Sequence, residues 1–174
     1  MRRTLRTCLI AFAPCVERGL KIIAQPYAQE ITANPSDTGT DIATLKTLFD
    51  GSIDWSECFD GWDEKRGEMA TDVTVTKARA SKLRRWIRDR PEKEIVLVTH
   101  GQFAHFLTRD VDEHGKQTTG WWKETELRTY RFDEASEEEL ARIVETECGG
   151  GGILPDMDKV REKMATSPEG TLRN

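Results

Sequence analysis

Histidine is scarce in this chain, three residues in 174, and one of the three stands where an imidazole can work. His100 closes the run EIVLVTHG, in which Ile95, Val96, Leu97 and Val98 are consecutive apolar residues, three of them β-branched. Such a run suits a strand buried on both faces, as in a parallel sheet. Ligands of open α/β sheets bind in the crevice beyond the carboxyl ends of the strands. A helix opening at Gly101 adds free N–H groups and a partial positive charge, a seat for an anion. An imidazole placed there can donate to a phosphate oxygen, carry a proton or attack as a nucleophile. Equally, it can do no more than hydrogen-bond a neighbouring loop. His105, one turn further on, and His114, in a charged loop, read as structural.

Other residues offer chemistry that depends on company. Arg2, Arg3 and Arg6 can grip a phosphate with their planar forks, and they can as well form the solvated face of a helix. Glu30 is one of 31 acidic residues; after a strand and before a turn, it is a candidate only if other groups gather around it. Asp37, Asp41, Asp54 and Asp60 match no EF-hand spacing. Trp55 and Trp62 can line a pocket or cover core. Cys8, Cys15, Cys58 and Cys148 are scattered, which points to reduced thiols rather than a zinc site or a disulfide framework.

The elements that must position these groups are legible in outline. Leu5, Cys8, Leu9 and Phe12 recur at helical spacing beside the arginines, so a helix is predicted over 3–12. The apolar run there is too short for a secretory signal; a basic, acid-free transit peptide and an ordinary amphipathic helix both fit it. KIIA (21–24) reads as a short strand, NPSDTGTD as turn chemistry, IATLKTLFD as a short helix and DWSECFDGWDEKRG as loop. A helix is predicted over 72–90, with Val75, Ala78, Leu83, Trp86 and Ile87 as its apolar stripe, ended by Pro91. The strand 95–98 follows, then a helix in QFAHFLTRDV and a strand in LRTYRFD with Leu127, Thr129 and Arg131 on one face. SEEELARIVE suits strand or helix. Gly149 to Gly152 break the chain, leaving a loose polar tail. Helices alternating with buried strands point to an α/β domain.

Length and charge narrow the class. The 174 residues suit one domain. A net charge of −5 argues against nucleic acid or an anionic membrane as partner. No apolar run approaches the ~18 residues of a membrane span, and the scattered cysteines, read as reduced thiols, make a cytoplasmic protein the expectation.

Four stretches occur together in an order that resembles the histidine phosphatase superfamily, the phosphoglycerate mutase-like fold, over about residues 1–132. MRRTLRT resembles the block with the phosphate-binding arginine helix and places Arg3 at that arginine. AQEITANPSDTGTD resembles the block with the acidic proton donor and places Glu30 there, with Ser36 where a cysteine is usual. VTHGQF resembles the second-histidine block and places His100, with Gly101, in the phosphate pocket. GWWKETELRTYRF resembles the late strand region, with Glu124 where an asparagine is common. The resemblance implies a three-layer sandwich with a mostly parallel sheet, residues 1–148 forming the domain and 149–174 a flexible tail. It implies phosphomonoester hydrolysis or phosphoryl transfer through a phosphohistidine, on a phosphorylated small molecule or a phosphoprotein, without metal or organic cofactor.

One departure outweighs the matches. The family's nucleophile lies in an Arg-His-Gly motif before the arginine helix, and none of the three histidines here sits in one. The expectation is therefore a domain lacking its first strand, helix and strand, through deletion or an incomplete gene model. It keeps the phosphate-holding groups Arg3 and His100 and the donor Glu30, but not the nucleophile. A non-catalytic module that binds phosphorylated ligands or another protein is the alternative. Losing a central strand should leave unpaired backbone and an exposed apolar seam.

Overall fold

The computed structural model describes residues 1–49, 51–136, 138 and 140–146. The predicted tail 149–174 lies outside the described residues. Helices and short strands mix in one α/β arrangement. Helix α1 (Arg2–Ala11) and α2 (Ala13–Glu17) lead to strand β1 (Ile22–Ile23). A 3₁₀ turn at Pro26–Ala28 follows, then α3 (Ile42–Leu48), β2 (Ile53–Asp54), α4 (Val73–Arg88), α5 (Gly101–Thr108), β3 (Thr129–Phe132) and β4 (Ile143–Thr146). β1 pairs with β2 in parallel, and β3 with β4 antiparallel, Thr129 opposite Thr146. The antiparallel pair makes a strand of only the end of SEEELARIVE, Ile143 to Glu145; the described residues before it are turn or irregular.

Local chemistry explains the helices. Asp41 caps α3: its carboxylate accepts from Thr44 N–H at 2.8 Å and from the Thr44 hydroxyl at 2.7 Å, satisfying a donor the first turn leaves free. Burial bears out part of the predicted stripe of α4: Leu83 is buried and Trp86 and Ile87 pack against the core, whereas Ala78 is exposed and Thr76, Arg79, Ala80 and Arg84 are buried as well. Arg84 is tolerated there because its guanidinium donates to the carbonyls of Phe106, Leu107 and Leu140, two of them at the carboxyl end of α5. The last carbonyls of a helix lack partners one turn on; Leu107 O is one of these, while Phe106 O also accepts from Arg109 N–H at 3.3 Å.

The predicted strand 95–98 is corrected. Residues 94–99 are not paired into a sheet among the described residues, although their chain leads straight into α5. Leu97 packs on the core, while Ile95 is 38% and Val96 55% exposed. The composition of a doubly buried strand is present, but among the described residues no partner strand pairs with it.

Two apolar clusters form the core. Leu5, Ala24, Leu45, Phe49, Ile53 and Trp62 make the first; Ala28, Ala80, Leu83, Phe103, Phe106 and Leu107 make the second. The segment 24–30 runs from one to the other and is tied to both. Gln29 Nε2 donates to Trp62 O at 2.9 Å, and Thr99 Oγ1 donates to Ala28 O at 2.7 Å. Trp62 therefore covers core rather than lining a pocket. Gly39 packs closely against its ring: a Cβ there would sit 2.5 Å from Trp62 Cη2 and 2.6 Å from Asp63 Cβ. Gly39→Ala is expected to cost about 1–3 kcal/mol by overpacking, read from the urea midpoint. An unchanged midpoint would show that the 33–40 turn is not seated on Trp62.

Candidate functional site

The first turn of α1, the 34–38 turn, the end of the 24–30 segment and the start of α5 meet at the junction of the two clusters. Arg3 projects from α1. Its Nη2 lies 3.3 Å from Asp37 Oδ1 and 3.4 Å from His100 Nδ1, and its Nη1 donates to Ser36 O at 3.3 Å. Residues 97 positions apart thus touch. These are long contacts for charge-assisted bonds, and the Arg3 side chain is 55% exposed, so the fork is available to another acceptor. A guanidinium only donates, so Nδ1 of His100 accepts and the ring's proton sits on Nε2.

His100 caps α5 in an extended conformation, with no side-chain cap bond. Among the described residues nothing accepts from the N–H groups of Gly101 and Gln102. The third free donor of that turn, Phe103 N–H, is taken by Glu30 Oε1 at 3.1 Å, which also accepts from Ile31 N–H at 2.8 Å. Glu30 itself is buried. Lys65 Nζ donates to Glu30 O at 2.5 Å. The Lys65 backbone is held at φ 54°, a left-handed conformation that costs a non-glycine residue about 1 kcal/mol or more.

The charges at this junction are unevenly matched. Burial pushes the His100 pKa down to about 3, assisted by the Met1 amino group and by Arg3, with Lys65 adding to them. The imidazole is therefore neutral at ordinary pH. Burial lowers Lys65 to about 8, and the Arg79 charge works in the same sense. Burial alone would raise Asp37, but hydrogen bonds from Thr32 and Arg3 hold it below the usual carboxylate range. Positive groups crowd a place that holds two carboxylates, one bonded to Arg3 and Thr32, the other to backbone N–H groups.

The structure thus brings Arg3 and His100 into contact and sets Glu30 one backbone bond from the same helix turn. Gly101 opens α5 as expected, yet a Cβ there would meet nothing within 4 Å, so no close approach demands glycine. Arg2 is exposed. His105 is buried, its Nδ1 2.6 Å from Asp110 Oδ1 and its ring edge-on to Trp121. His114 is exposed beside Glu113. Neither joins the site. Of the four aspartates weighed as a metal cluster, Asp37 pairs with Arg3, Asp41 caps α3 and Asp54 accepts from Ser56 N–H.

Sequence reasoning missed Asp37, Lys65 and Arg79. Asp37 lies inside the SDTG turn already singled out, which was the available signal. Lys65 carried none, being one cation in an acidic loop. An open groove of about 430 Å³ between α1–α2 and α3, lined by Leu9, Ala13, Val16, Glu17, Leu48, Phe49 and Ser52, contains none of the site residues. No family model, no curated protein and no solved structure matches the chain.

Proposed function

We propose that this is a histidine-phosphatase-like domain whose site holds the phosphoryl group of a phosphorylated small molecule or phosphoprotein, and that this chain binds it without turning it over. The observation that carries the reading is the contact of Arg3 with His100 at the open first turn of α5. A phosphoryl dianion there would take bonds from the Arg3 fork, from Nε2–H of His100 and from the N–H groups of Gly101 and Gln102. Lys65 adds charge without needing direct contact. Glu30, anchored through Oε1, keeps Oε2 as the oxygen able to serve a leaving group in the manner of the family's proton donor.

Hydrolysis through a phosphohistidine needs an imidazole in line with the scissile bond. With Nδ1 turned to Arg3, His100 is left with Nε2–H, a donor, to offer a ligand, so in this reading it stabilises charge rather than attacks. The fold proposed is the three-layer sandwich. In that arrangement a strand beside 94–99 would cover Ile95 and Val96 and bond their backbone.

The test is the titration of His100 itself. Without ligand its folded-state pKa is about 3, against an ordinary value near 6.5. Protonation therefore favours the unfolded chain: the contribution is fully present above about pH 6.5 and is lost as pH falls towards 3. A bound phosphate supplies the counter-charge that burial withholds, so saturating phosphate is expected to raise the His100 pKa towards neutrality, followed by NMR of its ring. If phosphate leaves the His100 signals untouched, the reading falls. The exposed edge at Ile95 and Val96, open to another chain, then makes an interaction module the reading that remains.

A further inference from the structure

Arg79 lies on the buried face of α4 and is 2% exposed. Among the described residues its Nε, Nη1 and Nη2 have no hydrogen-bond partner. Burial lowers its pKa only to about 10, so it remains a cation at neutral pH. An unpaired buried cation is expensive, and an apolar side chain of similar volume fills such a space at lower cost. Packing alone therefore does not account for an arginine at this position.

Its surroundings do. The guanidinium carbon lies 4.7 Å from the ring centroid of Phe103, the residue whose N–H donates to Glu30 Oε1. The carboxylate of Glu30 is also the charge that acts on Arg79 in the attractive sense. Arg79 thus stacks on the side chain of the residue that donates to Glu30, and its charge attracts the carboxylate that accepts. On the far side of that bond, α5 begins with His100 as its cap.

We propose that Arg79 is a positioning residue: it holds the Glu30 carboxylate against the Phe103 N–H, and through that bond it sets the first turn of α5 and His100. The hold stands on the stacking of Arg79 on Phe103 and on the Phe103 N–H bond to Glu30, whereas its consequence for phosphate rests on the function proposed above. The two are separable by experiment.

Amide exchange of Phe103 reads the bond directly, and inorganic phosphate reads the site. R79M is expected to leave the urea midpoint equal or higher, since an unpaired buried charge is removed. Phe103 exchange should accelerate about tenfold and phosphate affinity fall about tenfold, the scale of a lost charge-assisted hold. R79K should restore most of both. In an E30Q background, which keeps an acceptor but offers no charge, R79M should add nothing further. R79Q replaces R79M in the same cycle should the latter not fold. Unchanged Phe103 exchange in the neutral variant, or equal losses with and without E30Q, would overturn the proposal. Accelerated exchange in a protein that binds no phosphate would sustain the hold on Glu30 and remove only the phosphate reading.

Discussion

Arg3→Met is expected to weaken inorganic phosphate binding about ten- to a hundredfold, because a hydrogen bond to a charged group is worth about 1.5–3 kcal/mol. The fold should be nearly indifferent. The Arg3 side chain is 55% exposed and its bond to Asp37 is 3.3 Å long, and exposed ion pairs of this kind contribute about 0–1 kcal/mol. Affinity and stability therefore separate, which a general loss of structure would not allow. Arg3→Lys should fall between the two, keeping the charge but losing the fork that reaches His100, Asp37 and Ser36 together. Titration calorimetry with phosphate, beside urea unfolding of the same samples, measures both. Neither the parent nor these variants should release p-nitrophenol from p-nitrophenyl phosphate above background. Turnover by the parent that His100→Ala abolishes would make His100 a nucleophile and sink the binding-only reading. An Arg3→Met protein that binds phosphate as tightly as its parent would remove Arg3 from the site.

The helices were legible because their signals are local. Leu5 and Leu9, and the apolar stretch after Gly101, each declare themselves within a turn or two. The strands were less so. β1 and β2 share only two residue pairs, Ile22 with Ile53 and Ile23 with Asp54, and nothing near Ile53 distinguishes it from loop. The segment 94–99 failed for a physical reason. Apolar composition records what a strand can bury, but a ladder needs a neighbour, and among the described residues that segment has none.

The site divides in the same way. His100 was readable from its place at the end of an apolar run and before a helix, whereas Arg3 and Glu30 joined it only through the resemblance of their stretches to one family's motifs. Asp37 was hidden as one acid among several, since only folding reveals that the 34–38 turn lies against α1. Arg79 was hidden differently. In a helix whose buried side also carries Thr76, Ala80 and Leu83, an arginine reads as solvent-facing, because charged residues are seldom fully buried without a partner. Its burial is visible only once Phe103 and Glu30 are seen around it.

Trp62→Ala is expected to be the most damaging single change to the fold, at about 3–5 kcal/mol, the usual cost of deleting a buried aromatic side chain. Trp62 is fully buried among Leu5, Leu45, Phe49 and Ile53, and it supports two parts of the site at once. Its ring is the floor under Gly39, which fixes the turn that delivers Asp37. Its carbonyl accepts from Gln29, the residue before Glu30. A domain of this size has about 5–15 kcal/mol of stability in all, so the alanine variant should unfold at far lower urea, followed by far-UV circular dichroism. Trp62→Phe should cost less than the alanine change. It leaves a smaller void, and it removes the indole Nε1–H, which is buried without an acceptor among the described residues and so already carries a desolvation cost. Phosphate affinity should fall in both variants in the order of their stability, unlike Arg3→Met, where it falls alone. A Trp62→Ala protein within about 1 kcal/mol of its parent would mean that the first cluster does not hold the 33–40 turn and the Glu30 segment in place. The convergence of Arg3, Asp37 and Glu30 would then need another cause.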